Sequence, residues 1–155
     1  MIKTTYYIRV LVVGYEFLSL VLFLTIYLYY EMEIERAVIS STYNSDALKW
    51  LIIYPVGLAT WMLKEGTKII FPDDKMSKTL HEWKYYWQLK AHFNVGIFYA
   101  ISLSALCVFV WATNNLTTGW GFSLFISCII AISLDALSFY QAQVKVKEIL
   151  IHDSP

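Results

Sequence analysis

The chain has 155 residues, of which 58% are hydrophobic, 17% aromatic and 15% charged. A soluble domain carries roughly 45–50% apolar and about 25% charged residues, so this composition points away from water and toward a bilayer. Lysine plus arginine equals aspartate plus glutamate at 12 each, which leaves no net positive charge to draw nucleic acid.

The first apolar run, "YYIRVLVVGYEFLSLVLFLTIYLYY" (Tyr6–Tyr30), exceeds the ~20 residues a helix needs to cross hydrocarbon. It is too long for a cleaved leader and no small-x-small site follows it. The second, "ALKWLIIYPVGLATWML" (Ala47–Leu63), is short and holds Pro55 and Gly57. "FPDDKMSK" (Phe71–Lys78) then breaks the pattern with Pro72, and Ser77 is placed to cap a new helix. From Ser77 to Thr113 there is no proline and one glycine, Gly96, so a single long helix is predicted. Its first part, residues 77–90, forms a cytoplasmic stem, and Ala91–Thr113 is the third span. "NNLTT" joins it to a fourth, Gly119–Gln141, which runs on as a second stem strand over residues 142–152. A chain in lipid must satisfy its own backbone hydrogen bonds, so the spans are helices. The expectation is an all-α integral membrane protein, one transmembrane domain of four helices. Spans three and four would form a long antiparallel hairpin that extends into the cytoplasm.

Orientation follows from lysine and arginine. Lys3 and Arg9 flank the first span, and Lys64, Lys68, Lys75, Lys78, Lys84 and Lys90 lie between spans two and three. Lys145 and Lys147 follow span four, while only Arg36 and Lys49 fall on the other side. The positive-inside rule places both termini and the middle loop in the cytoplasm.

The stretch "HEWKYYWQLKAHF" (His81–Phe93) interleaves aromatics with lysines. Stacked single-stranded nucleic acid uses such a surface, but Glu82 and the acidic "PDD" dilute its charge and no recognition module surrounds it. At a membrane boundary the same residues form an interfacial belt, with lysine stems reaching toward phosphates. Trp83, Lys84, Tyr86, Trp87, Lys90 and His92 are the candidates for this belt and for a stem that docks a soluble cytoplasmic protein.

Within the spans, small and polar residues recur at helical spacing. Ser123, Ser127, Ala131, Asp135, Ser138 and Ala142 share one face of span four; His92, Gly96, Ala100 and Ser104 share one face of span three. Such stripes bring helix backbones close, or they line an oligomer axis or a water-filled path. An acid in hydrocarbon costs a few kcal/mol on insertion scales and requires a partner or water. Glu16 and Asp135 are two such acids. Arg9, seven residues before Glu16, is expected to pair with it, and Asp135 to bond a serine or tyrosine.

His81, His92 and His152 make no metal-ligand pattern, and there is no nucleophile elbow or Walker loop. No cofactor, no metal and no enzymatic activity are expected. Cys107 and Cys128, equally far from the outer turn, read as neighbouring buried thiols. The Asn115-Leu116-Thr117 sequon sits in too tight a turn to clear the membrane.

The layout, with both termini inside, a short turn between "ALCVFVWATNN" and "TTGWGFSLF", and cytoplasmic helical extensions, resembles small four-span inner-membrane proteins of bacterial phage-defence systems, of the Kiwa membrane-subunit and lambda-exclusion type. Plasmid entry-exclusion and bacteriocin-immunity proteins are similar in outline. The resemblance implies a self-associating membrane protein that anchors or senses at the inner membrane and docks a cytoplasmic partner. The alternatives are an ion- or proton-permeable effector and a toxin-immunity or entry-exclusion protein.

Overall fold

The computed structural model describes residues 2–40, 50–70 and 85–152, and among these every regular element is helical. In chain order they are α1 (Ile2–Val13), α2 (Tyr15–Ser40), α3 (Ile53–Ile70), α4 (Tyr86–Ala112), a 3-10 turn (Asn115–Thr117) and α5 (Gly119–His152). Among the described residues, three stretches are long and apolar enough to cross a membrane: Arg9–Ser40, Tyr86–Ala112 and Gly119–Glu148. Their outward side chains, among them Leu22, Leu28, Phe98, Phe109 and Leu137, are exposed, which suits contact with lipid.

The first of these departs from the expected single helix. Gly14 interrupts it, so α1 ends at Val13 and α2 begins at Tyr15. A Cβ at Gly14 would overlap the Glu16 Oε2 atom and stand 3.1 Å from the Val10 carbonyl oxygen, so a larger residue there would push the folded-back acid aside. The break orphans carbonyls at the end of α1. One is answered from another helix: the Tyr99 hydroxyl of α4 donates to the Leu11 carbonyl at 2.7 Å. Helical geometry also lapses at Tyr30 (φ −120°, ψ 22°), where the apolar run ends, yet α2 resumes and continues to Ser40.

α3 carries Pro55 in its first turn, where a missing N–H costs no helical bond. The Pro55 carbonyl accepts from the Ser104 hydroxyl at 3.0 Å, tying α3 to α4. Residues 47–49 of the expected second span lie outside the described residues, and the helix runs past Leu63 to Ile70.

α4 starts at Tyr86, with Tyr85 outside helical geometry (φ −99°, ψ 4°). The unbroken helix expected from Ser77 to Thr113 thus has a boundary at Tyr85, and residues 77–84 of the stem lie outside the described residues. α4 and α5 touch along their length: Tyr86 with Val146, Phe93 with Phe139, Gly96 with Asp135, and Cys107 with Cys128. The falling numbers on one helix against rising numbers on the other mean that the two run in opposite directions. Between them, Asn114 adopts a left-handed conformation (φ 56°), and the Thr118 hydroxyl accepts from the Gly121 N–H at 3.1 Å to cap α5.

The core has two centres. Near the turn, Leu103, Cys107, Phe125, Cys128, Ala131 and Ile132 pack with Leu20 of α2 and Leu58 of α3. Farther along, Ala59 and Met62 of α3 meet Phe93, Ala100, Ala136 and Phe139. Lipid tails are as apolar as these side chains, so dispersion and interhelical hydrogen bonds hold the helices together, with little hydrophobic drive.

Candidate functional site

Four helices converge on one open cavity of about 520 Å³. α1 contributes Tyr6, Arg9 and Val10; α2 contributes Glu16; α4 contributes His92, Phe93 and Gly96; α5 contributes Asp135, Ser138 and Phe139. The break at Gly14 is what brings Glu16 here. It sets the acid in the first turn of α2, at the positive end of that helix's dipole. Asp135 reaches the same place because Gly96 has no side chain. A Cβ at that position would lie 2.8 Å from Asp135 Oδ1.

The two acids meet. Glu16 is 8% exposed and Asp135 5%, and their carboxyl groups are within hydrogen-bonding reach of each other. Asp135 Oδ2 has no hydrogen-bond partner among the described residues. Two carboxylates so placed repel strongly in an apolar setting, whereas one proton held between them turns the repulsion into a hydrogen bond. This corrects the expected pairing. No ion pair joins Arg9 to Glu16 among the described residues, because the seven-residue spacing that would align them on one face assumes a continuous helix and Gly14 breaks it. Arg9 lines the cavity from its exposed side. Among the described residues no serine or tyrosine hydroxyl bonds Asp135 either; Ser133 bonds Ile129 and Tyr54 instead.

Around the acids, the Tyr6 hydroxyl is 3.0 Å from His92 Nε2, and the Tyr6 ring meets those of Trp87 and His92 edge-on. His92 belongs to this cluster; among the described residues no three metal-ligating side chains converge. The aromatics of the expected belt are partly used in packing: Trp87 against Tyr6, and Tyr86 buried beside Val146. The Lys90 ammonium lies 5.7 Å from the Tyr86 ring centroid, while Trp83 and Lys84 lie outside the described residues.

The stripes divide in two. Ser123, Ser127, Ala131 and Asp135 of α5 and Gly96, Ala100 and Ser104 of α4 are buried inside this single chain. They pack helix against helix, as small residues at that spacing do. At the cavity Asp135 is joined by Ser138 and Ala142 of its own stripe and by His92 and Gly96 of the stripe on α4. The sequence pointed to both acids but not to their contact, and Gly14 between Arg9 and Glu16 was the one signal of the break that makes it. No family model, curated protein or solved structure matches the chain.

Proposed function

We propose that this chain is a four-span, non-enzymatic inner-membrane protein whose Glu16–Asp135 pair binds and releases a proton within the membrane. The observation that carries the reading is the unpartnered Asp135 Oδ2, buried against a second acid at an open cavity. A desolvated acid in a span is costly to keep and acts in proton or ion handling when no cation neutralises it. This favours a proton-permeable or proton-sensing effector over a purely structural anchor. Self-association and a soluble cytoplasmic partner enter the proposal through the chain's layout alone.

In this reading α3 is the second span, and the lysine-rich end of it faces the cytoplasm. At that end the Lys68 ammonium donates to Glu65 at 2.7 Å. The hydrogen bond and charge of Lys68 hold the Glu65 carboxyl below its ordinary range, which suits a water-facing helix end.

Proton flux into liposomes tests the proposal. The wild-type protein should acidify vesicles under an imposed gradient, and Asp135→Asn should insert and assemble normally yet lose most of the flux, since an amide does not carry the proton. Equal flux from both proteins, or none above empty vesicles from the wild type together with no proton uptake by the pair, would overturn it.

A further inference from the structure

The cavity is larger than a proton site needs. About 520 Å³ falls within the roughly 300–1,000 Å³ of sites for small organic molecules and far exceeds the ~30 Å³ of one water. Its wall includes aromatic rings: Phe93 and Phe139 stand edge to face with centroids 4.2 Å apart, and Tyr6 also lines it. Aromatic faces attract cations, most strongly where water is excluded. At the deep end stands a buried carboxyl oxygen that accepts but has no donor.

We infer that this cavity binds a monovalent organic ammonium ion, bearing N–H donors and an apolar or aromatic tail, in place of the proton held between Glu16 and Asp135. The inference rests on the proton reading above. The ammonium supplies the N–H that Asp135 Oδ2 lacks and the positive charge that the pair requires, and its tail fills the space along Phe93 and Phe139. The charged and titratable groups around it are Arg9 on α1, Glu16 on α2, His92 on α4 and Asp135 on α5, with the Tyr6 and Tyr99 hydroxyls turned to His92 and Leu11. No residue of α3 lines the cavity among the described residues. Arg9, on the exposed side, repels a second positive charge, which selects monoamines over diamines. A bare alkali ion would leave the apolar space empty.

Because the cation and the proton compete for one place, binding strengthens as pH rises. Calorimetric titration of the full-length protein in nanodiscs with phenethylamine tests this. Affinity should rise by up to about tenfold per pH unit while the pair is protonated, with about one proton released per amine bound, read from the heats in two buffers of different ionisation enthalpy. The quaternary benzyltrimethylammonium, with no N–H to donate, should bind at least about tenfold more weakly, as a site built on a hydrogen bond discriminates. Asp135→Asn and Glu16→Gln, each first checked for native size and helicity, should both lose amine binding. Binding that is independent of pH, that survives both variants, or that favours sodium or the quaternary ion over the amine would overturn the inference. Proton flux without any amine binding would overturn it too, while leaving the proton reading in place.

Discussion

At the residue scale, the consequential positions are those where the absence of a side chain allows an approach. Gly96 lets Asp135 lie against α4, and Gly121 lets α5 lie against the turn, where a Cβ would overlap the Asn115 carbonyl. The two differ in what must move. At Gly96 the obstacle is a carboxyl oxygen, the end of a side chain, whereas at Gly121 it is backbone on both atoms of the carbonyl. Gly121→Ala should therefore destabilise the fold by about 1–3 kcal/mol, the usual cost of overpacking. Gly57, with nothing within 4 Å, is the control. There alanine should be neutral or stabilising by roughly 0.5–1 kcal/mol, through the backbone freedom glycine loses on folding. Thermal unfolding of both variants in one detergent checks the pair of outcomes, and the opposite order would refute the close approach at the turn.

At the scale of elements, α1 is the helix whose attachment matters most to the cavity. It reaches the rest of the molecule through the Tyr6–His92 and Tyr6–Trp87 contacts and through the Tyr99 hydroxyl on the Leu11 carbonyl. That carbonyl lies in the last turn of α1, where helix ends leave carbonyls short of donors, so removing the buried Tyr99 hydroxyl takes away a partner. Tyr99→Phe should cost about 1–3 kcal/mol, the range for a buried group left without its partner. It should also loosen α1 specifically, so that amides of Leu11 to Glu16 exchange faster while those of α4 and α5 hold. Uniform exchange across all helices would mean that the hydroxyl does not anchor α1. The contacts between α4 and α5 are of another kind, many small residues meeting apolar ones, and no single substitution among them is expected to detach either helix.

For the whole molecule, the number of crossings decides the topology by parity. Three helices meet the length and apolarity of a span, and α3, shorter and bearing Lys64, Glu65 and Lys68 in its second half, is the doubtful member. Four crossings put both chain ends on one side and three put them on opposite sides. The proposed reading, with the lysine-rich segments on one side, corresponds to four. Reporter tags at the two ends should both be shielded from a protease added outside intact cells, and the loop holding Lys75 and Lys78 should be shielded with them. A C-terminal tag cut from outside while the N-terminal one survives would remove α3 from the membrane and leave a three-span protein.

The amino-acid sequence by itself determined the solvent of this protein and the helical form of its elements, because a long run of apolar residues has no other way to satisfy its backbone in lipid. It marked Glu16 and Asp135 as costly, placed the turn at Asn114–Thr118, and set Cys107 beside Cys128. These are local or nearly local facts, legible from run length, spacing and polarity. The partnership of the acids was not legible. Spacing along one helix suggested Arg9 for Glu16, and only the tertiary structure, by breaking that helix at Gly14 and pressing α5 onto Gly96, turned Glu16 toward Asp135. Periodicity assumes an unbroken axis, and a contact between residues more than a hundred positions apart depends on how separate helices cross. The cavity follows from the same crossings, since its wall is drawn from four helices and no one of them contains it.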